Sequence, residues 1–287
     1  MNINLSLRKR TESDHMMVLL MRALLLFMVV FCIYPIIFVF LTSFKSTSEF
    51  LSNIWSLPQT PEYGNYVSAW VTGHVGEYFL NSVIVTVVSL AFILLFSVCA
   101  GYALAKLNLP FSEVFVGALF VILILPTESM VMPLYIMMTK MQIINLKYIP
   151  MIVAYIGWCM PFSIIVLKNF FQTVPTELLE ASRIDGATEL QTLWKVVFPL
   201  MTPALGTCTV FNFCWLWGEL MWAQISTSAV SEGLTLTCGL IAFQGQYATD
   251  WGPMCAAISI ILVPLIVMFL FLQKYFVEGL TAGAVKG

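Results

Sequence analysis

The sequence predicts an all-α polytopic membrane protein with six transmembrane helices, and three observations carry the prediction. Of its 287 residues, 60% are apolar. Asp, Glu, Lys and Arg make up only 10%, against roughly 25% in ordinary soluble domains. The apolar residues gather into six stretches long enough, or nearly so, to cross a hydrocarbon layer of about 30 Å as helices. Mean hydropathy is +0.92. So few charges cannot coat a water-facing surface of this size, which excludes a soluble globular enzyme and a disordered chain. The net charge of −2 and pI near 5.7 give no basic footprint for nucleic acid. None of the stretches alternates polar and apolar residues, so strands of a barrel are excluded too.

Each span follows in chain order. Residues 1–15 are expected to form a cytoplasmic N-terminal segment, and residues 16–275 the six-helix domain. The first span covers 16–41, with Arg22 near its start. Arg8, Lys9 and Arg10 ahead of it give the look of a secretory signal, but this apolar run exceeds the 7–15 residues of a signal's core. A retained helix is the expectation. The second span, 78–104, carries no charge. The third, 114–136, reaches full length only through Pro126 and Glu128. Pro126 should break it, because proline lacks an N–H and clashes with the preceding turn. The fourth, 148–167, holds Pro150 and Pro161; the fifth, 199–222, holds one acid, Glu219; the sixth, 253–273, holds Pro264. Residues 276–287 are expected to be a thin cytoplasmic tail.

With an even number of spans, both ends lie on one side. Ten of the thirteen Lys and Arg residues fall on that side, and Lys45, Lys140 and Lys147 on the other. By the positive-inside rule both termini are cytoplasmic. The seven cysteines form no CxxC pair, and His15 and His74 stand far apart in polar segments. No metal set is expected. An intramembrane enzyme would need a reactive pair at membrane depth, and none is present. A secondary transporter would usually show two related halves, and no internal repeat is visible.

The outer connection 42–77, rich in Pro, Trp and Tyr, should pack as an irregular cap. The inner connection 168–198 is longer than a helix turn requires and carries Lys168, Glu177, Glu180, Arg183, Asp185, Glu189 and Lys195. Pro175 suits the first turn of a helix and Glu177 and Glu180 its positive end. Leu178, Ala181 and Ser182 share a face. Gly186 permits a sharp bend, after which residues 187–198 resume helical periodicity with Leu190, Leu193, Trp194 and Val197 on one side. The segment is either a helix on the inner leaflet or a docking surface for a soluble partner. A lipid-surface helix favours Lys and Arg, and this one is acid-rich.

Glu180, Ala181, Ser182, three residues, Gly186, nine residues, Val196, one residue, Phe198 and Pro199 resemble the EAA motif of importer-type ABC transporter permeases. Ser182, Val196 and Phe198 replace the usual Ala, Ile and Leu; the spacing is intact. The string from Arg183 to Ala187 resembles the sugar-importing, maltose-type branch. So do Tyr34–Pro35, Ser43–Phe44–Lys45, Leu80–Asn81–Ser82, the run from Gly101 to Ala105, Met132–Pro133–Leu134–Tyr135 and the C-terminal residues from Phe276. The chain is most similar in form to the smaller six-helix permease subunit of that branch.

The resemblance implies a type I importer permease fold in a bacterial inner membrane. It implies a second homologous permease, two ATP-binding-cassette subunits and an extracytoplasmic solute-binding protein as partners, with sugar as cargo and a glycerol phosphate or polyol as the alternative. ATP and Mg would belong to the ATPase subunits, since this chain holds no GxxxxGK[ST] string. Glu180, Ala181, Ser182, Arg183, Asp185 and Gly186 would be the ATPase-coupling set. Polar groups inside a membrane tend to face cavities, so Glu128, Asn212 and Glu219 are candidates for the solute pathway; for Glu128 the alternative is that the third helix ends at Pro126 and the carboxylate meets water outside. Trp215, Trp217 and Trp222 join them, as aromatic faces that suit a sugar ring or as anchors at the membrane interface.

Overall fold

The computed structural model describes residues 2–107, 109–228, 233–243 and 249–284, with side chains over 15–107, 109–228, 233–241, 243 and 249–275. Residues 285–287 of the expected tail, and the side chains of Arg8, Lys9 and Arg10, lie outside the described residues. In chain order the α-helices are α1 (Asn2–Thr42), α2 (Thr47–Ser52), α3 (Gly64–Val67), α4 (Val75–Lys106), α5 (Ser112–Ile124), α6 (Thr127–Lys140), α7 (Ile149–Thr173), α8 (Thr176–Ile184), α9 (Glu189–Gln191), α10 (Thr202–Gly218), α11 (Met221–Thr227), α12 (Leu236–Gly239) and α13 (Trp251–Ala284). Among the described residues five helical stretches are long and apolar enough to cross a membrane. The sixth apolar stretch is the pair α5 and α6, bent by 100° at Leu125 and Pro126. Pro126 takes extended backbone angles (φ −67°, ψ 124°), so the helix stops and restarts there.

Several boundaries differ from those read in the sequence, and three of them bear on the site or the tail. The fifth apolar helix begins at Glu189 rather than 199 and runs 30 residues to Gly218. Within it, α9 passes into a π-helical stretch (Thr192–Val197) and a 3-10 stretch (Phe198–Met201) before α10. Pro199 has no N–H to donate, and the change of pitch carries the chain past it. At its other end the helix stops at Gly218, because Glu219 turns extended and its carboxylate caps the short α11. The last helix continues to Ala284, through most of the residues expected as a thin tail.

The chain forms two compact units, residues 1–72 with 243–259, and residues 73–242 with 260–287. In the first, residues 15–37 of α1 are exposed along their whole apolar length. The outer connection is anchored by Lys45, which is fully buried and donates to the carbonyls of Asn53 and Ile54 and to Ser56 Oγ. An ammonium has three protons to donate, and three acceptors meet it. Asn65 donates to the carbonyls of Ser43 and Lys45, and Phe50 stacks on Trp251 at 5.0 Å.

In the second unit α4 and α7 form the most extensive helix pair. Ser89, Ser97 and Gly101 fall at multiples of four on one buried stripe of α4. A Cβ at Gly101 would stand 3.1 Å from the Lys168 amide nitrogen and 3.2 Å from Leu167 Cβ, so glycine is what lets the backbones approach. One buried cluster joins Val85, Ile93, Met138, Tyr155 and Trp222. A second joins Val98, Tyr102, Leu167, Phe171, Leu179, Leu193 and Val197.

Candidate functional site

The segment from Val174 to Met201 is built by local capping. Pro175 opens α8, and Leu178 N–H reaches its carbonyl at 3.3 Å. At the other end Gly186 takes φ +79°. Its N–H meets the Arg183 carbonyl and Ala187 N–H meets the Ser182 carbonyl, each at 3.0 Å, which is a Schellman motif. Thr188 and Gln191 then form a reciprocal capping box that starts α9. Helix, stop and helix thus follow the reading of the sequence.

The face pointing inward is only partly the one shared by Leu178, Ala181 and Ser182. Leu179 and Ser182 are buried, whereas Leu178 and Ala181 are exposed. Ser182 Oγ donates to the Leu179 carbonyl and pairs with the buried Thr192 hydroxyl at 2.9 Å. Of the coupling set, Glu180, Ala181, Arg183, Asp185 and Gly186 are exposed, and Ile184 between them is 86% exposed. Leu193 and Val197 are buried as expected of their stripe, while Leu190 and Trp194 remain open. The π-helical pitch turns those two away from the positions that a 3.6-residue period predicts.

Glu189 sits in this segment and opens the fifth apolar helix. Arg183 Nε donates to its Oε1 at 2.8 Å, and Tyr102 Oη to its Oε2 at 2.8 Å. Both partners of the ion pair are more than two-fifths exposed, so water and salt weaken it.

Two adjoining cavities open between the bent pair and α7 and α10. One, of about 260 Å³, is lined by Leu123, Phe162, Phe211 and Asn212 among others. The other, of about 390 Å³, is lined by Glu128, Val131, Gly218 and Glu219 among others. Thr127, Trp158 and Trp215 line both, and no Lys or Arg lines either. Four of the six pathway candidates therefore meet here: Glu128, Asn212, Trp215 and Glu219. Trp217 and Trp222 do not. Each is buried and pinned, Trp217 Nε1 donating to the Ile261 carbonyl and Trp222 Nε1 to the Pro150 carbonyl, both at 3.1 Å. An indole N–H inside an apolar core needs such a partner.

Glu219 is engaged on both oxygens. Oε1 accepts the Trp222 N–H, and Oε2 accepts the Ala223 N–H and the Tyr155 hydroxyl, at 2.7 to 3.0 Å. Asn212 donates to Ser163 Oγ at 2.7 Å. Glu128 is exposed on the cavity's rim. Trp158, missed in the sequence, stands edge-to-face with both Trp215 and Trp222. An aromatic inside an apolar run reads as core, and no local signal separates the two roles.

The family described as binding-protein-dependent transport system inner membrane component matches residues 97–281. A melibiose/raffinose/stachyose import permease protein of Bacillus subtilis is 32% identical over 88% of this chain and 91% of its own. A diacetylchitobiose uptake system permease protein of Streptomyces coelicolor is 29% identical over 97% of this chain and 92% of its own. Among solved structures, a chain of a bacterial ABC transporter that imports the acidic polysaccharide alginate has the same fold, with TM-score 0.80 and 24% identity, over 92% of this chain and 98% of that one.

Proposed function

Because the chain belongs to the family of binding-protein-dependent transport system inner membrane components, we propose that it forms half of the translocation pathway of a bacterial ABC importer for a sugar or oligosaccharide. The chain is a multi-pass membrane permease. The finer reading is that both termini are cytoplasmic, that a second permease completes the pathway, and that a binding protein delivers the solute. ATP is hydrolysed on two partner subunits that seat the helix bearing Glu180.

The observation that carries this reading is the capped helix α8, with Glu180, Ala181, Ile184 and Asp185 on its open side. A short helix closed at its C-terminus by a Schellman motif, with exposed acids and a bare Ile, is a rigid plug for a partner's cleft. Its carboxylates can accept charge-assisted hydrogen bonds. Sugar as cargo is supported by the relatives' names and by the Trp158 and Trp215 faces beside Glu128, Asn212 and Glu219. A glycerol phosphate would meet two carboxylates there and no cation, which favours the uncharged solute.

The test pairs uptake with assembly. A deletion strain carrying this chain and its neighbours should take up a labelled oligosaccharide from a panel including diacetylchitobiose and melibiose. In the purified complex Glu180→Lys should lose ATPase subunits, each lost charged bond being worth about 1.5–3 kcal/mol. Full ATPase content together with normal uptake in that variant would remove α8 as the docking element.

A further inference from the structure

We propose that Glu189 is the transmission residue of this permease, tying the coupling helix to the two long helices that must move when that helix moves. The proposal rests on the coupling role given to α8 above and deepens it. Three elements meet at this one carboxylate. Arg183 brings α8, Tyr102 brings α4, and Glu189 itself opens the 30-residue helical stretch that ends at Gly218. That stretch delivers Asn212 and Trp215 to the cavities and leads directly into Glu219. The pairing of Tyr102 with Glu189 spans 87 positions in sequence, so it is a tertiary joint rather than a local cap.

The two hydrogen bonds differ in character. Arg183 and Glu189 meet in the open, whereas Tyr102 is 3% exposed and packs edge-to-face on Phe171 at 5.6 Å. A buried phenol with one fixed acceptor cannot follow the carboxylate without moving α4. One turn further along α4, Lys106 Nζ donates to the Val174 carbonyl at 2.7 Å, at the entry to α8. Tyr102 and Lys106 thus grip the segment at its exit and its entry. At the other end of α4, Asn81 donates to the Leu234 carbonyl and Ser82 accepts the Leu236 N–H. A displacement of α8 therefore reaches residues 234–236 through one continuous helix with fixed joints at both ends. Packed elements that switch between two arrangements carry coupling between distant sites, and α4 with these joints is the element the proposal assigns to that task.

The test uses the complete transporter in liposomes, with loaded binding protein outside, and reads solute taken up per ATP hydrolysed. Tyr102→Phe keeps the ring and its packing and removes only the bond. It should assemble, keep basal ATPase activity, and lower uptake per ATP by about fivefold or more, the low end of a coupling between sites. Glu189→Leu should do the same. Glu189→Gln keeps one acceptor, enough for Tyr102 but not for Arg183 as well, and should give a ratio between those of Glu189→Leu and the wild type. Lys106→Met supplies a second reading at the other grip, with the same loss expected. Wild-type uptake per ATP in both Tyr102→Phe and Glu189→Leu would overturn the proposal. So would a lowered melting temperature in Tyr102→Phe alongside a normal ratio in Lys106→Met, since Tyr102 would then be a stability pin. If Glu180→Lys is also normal, the docking reading itself has failed; if only the Tyr102 and Glu189 variants are normal, this inference alone has.

Discussion

Glu219 had the marks of a solute contact in the sequence, a lone acid beside three tryptophans. Its geometry gives it a second task. With both oxygens occupied by two backbone N–H groups and a phenol, it joins α10 to α11 and holds Tyr155 behind Trp215. Glutamine keeps one acceptor and turns an NH2 toward the remaining donors. Glu219→Gln is therefore expected to cost about 1.5–3 kcal/mol of stability, the worth of a charged hydrogen bond, read as a lower melting temperature of the purified complex. It should also raise the apparent KM for solute by loosening the Trp158 and Trp215 faces. An unchanged melting temperature would show that the cap contributes nothing. Gly186 was legible, because a left-handed residue after a helix calls for glycine. The pins on Trp217 and Trp222 were not, since an indole N–H finds its carbonyl only after distant segments have met.

At the scale of elements, length and hydropathy marked the apolar helices, and one proline marked the 100° bend. Boundaries moved where side chains rather than propensity decide them. The π-helical stretch and the capping carboxylate of Glu219 together shift the fifth helix toward its N-terminus relative to the reading from hydropathy. The joint between α4 and α7 was not read in the sequence. Small residues at four-residue spacing are visible in the sequence, but their partner is not. Gly101→Leu should force the two backbones apart at Lys168. An overpacked contact of this kind costs about 1–3 kcal/mol. Thermal unfolding of the complex in detergent should report it, and an unchanged transition would mean that the helices had room to spare.

For the molecule as a whole, the orientation rests on the distribution of Lys and Arg, and labelling can test it directly. On a Cys-free background, Thr60→Cys should react with an impermeant maleimide from outside, and Ile184→Cys only after permeabilisation. Reaction of Ile184→Cys in intact cells would invert the topology and detach the coupling segment from any cytoplasmic ATPase. The bare length of α1 also belongs at this scale. Residues 15–37 stay exposed among the described residues, so lipid or a second permease must cover them.

The bend at Pro126 has a consequence for hydration. A helix that stops inside an apolar layer leaves its last carbonyls, and the first N–H groups of its successor, without partners along the chain. Hydrocarbon offers them none, and each would cost several kcal/mol if left bare there. Thr127, at the restart, lines both cavities. On the proposed pathway, the two cavities would be water-filled whenever no solute occupies them. Cargo would then enter by exchanging with that water, its own hydroxyl groups taking over the hydrogen bonds the departing molecules made. A solute with many hydroxyls does this at little cost, whereas a purely apolar one would strand the broken backbone. On that pathway, the same proline that interrupts the span would set the wetness of the path, and with it the polarity of what can travel along it.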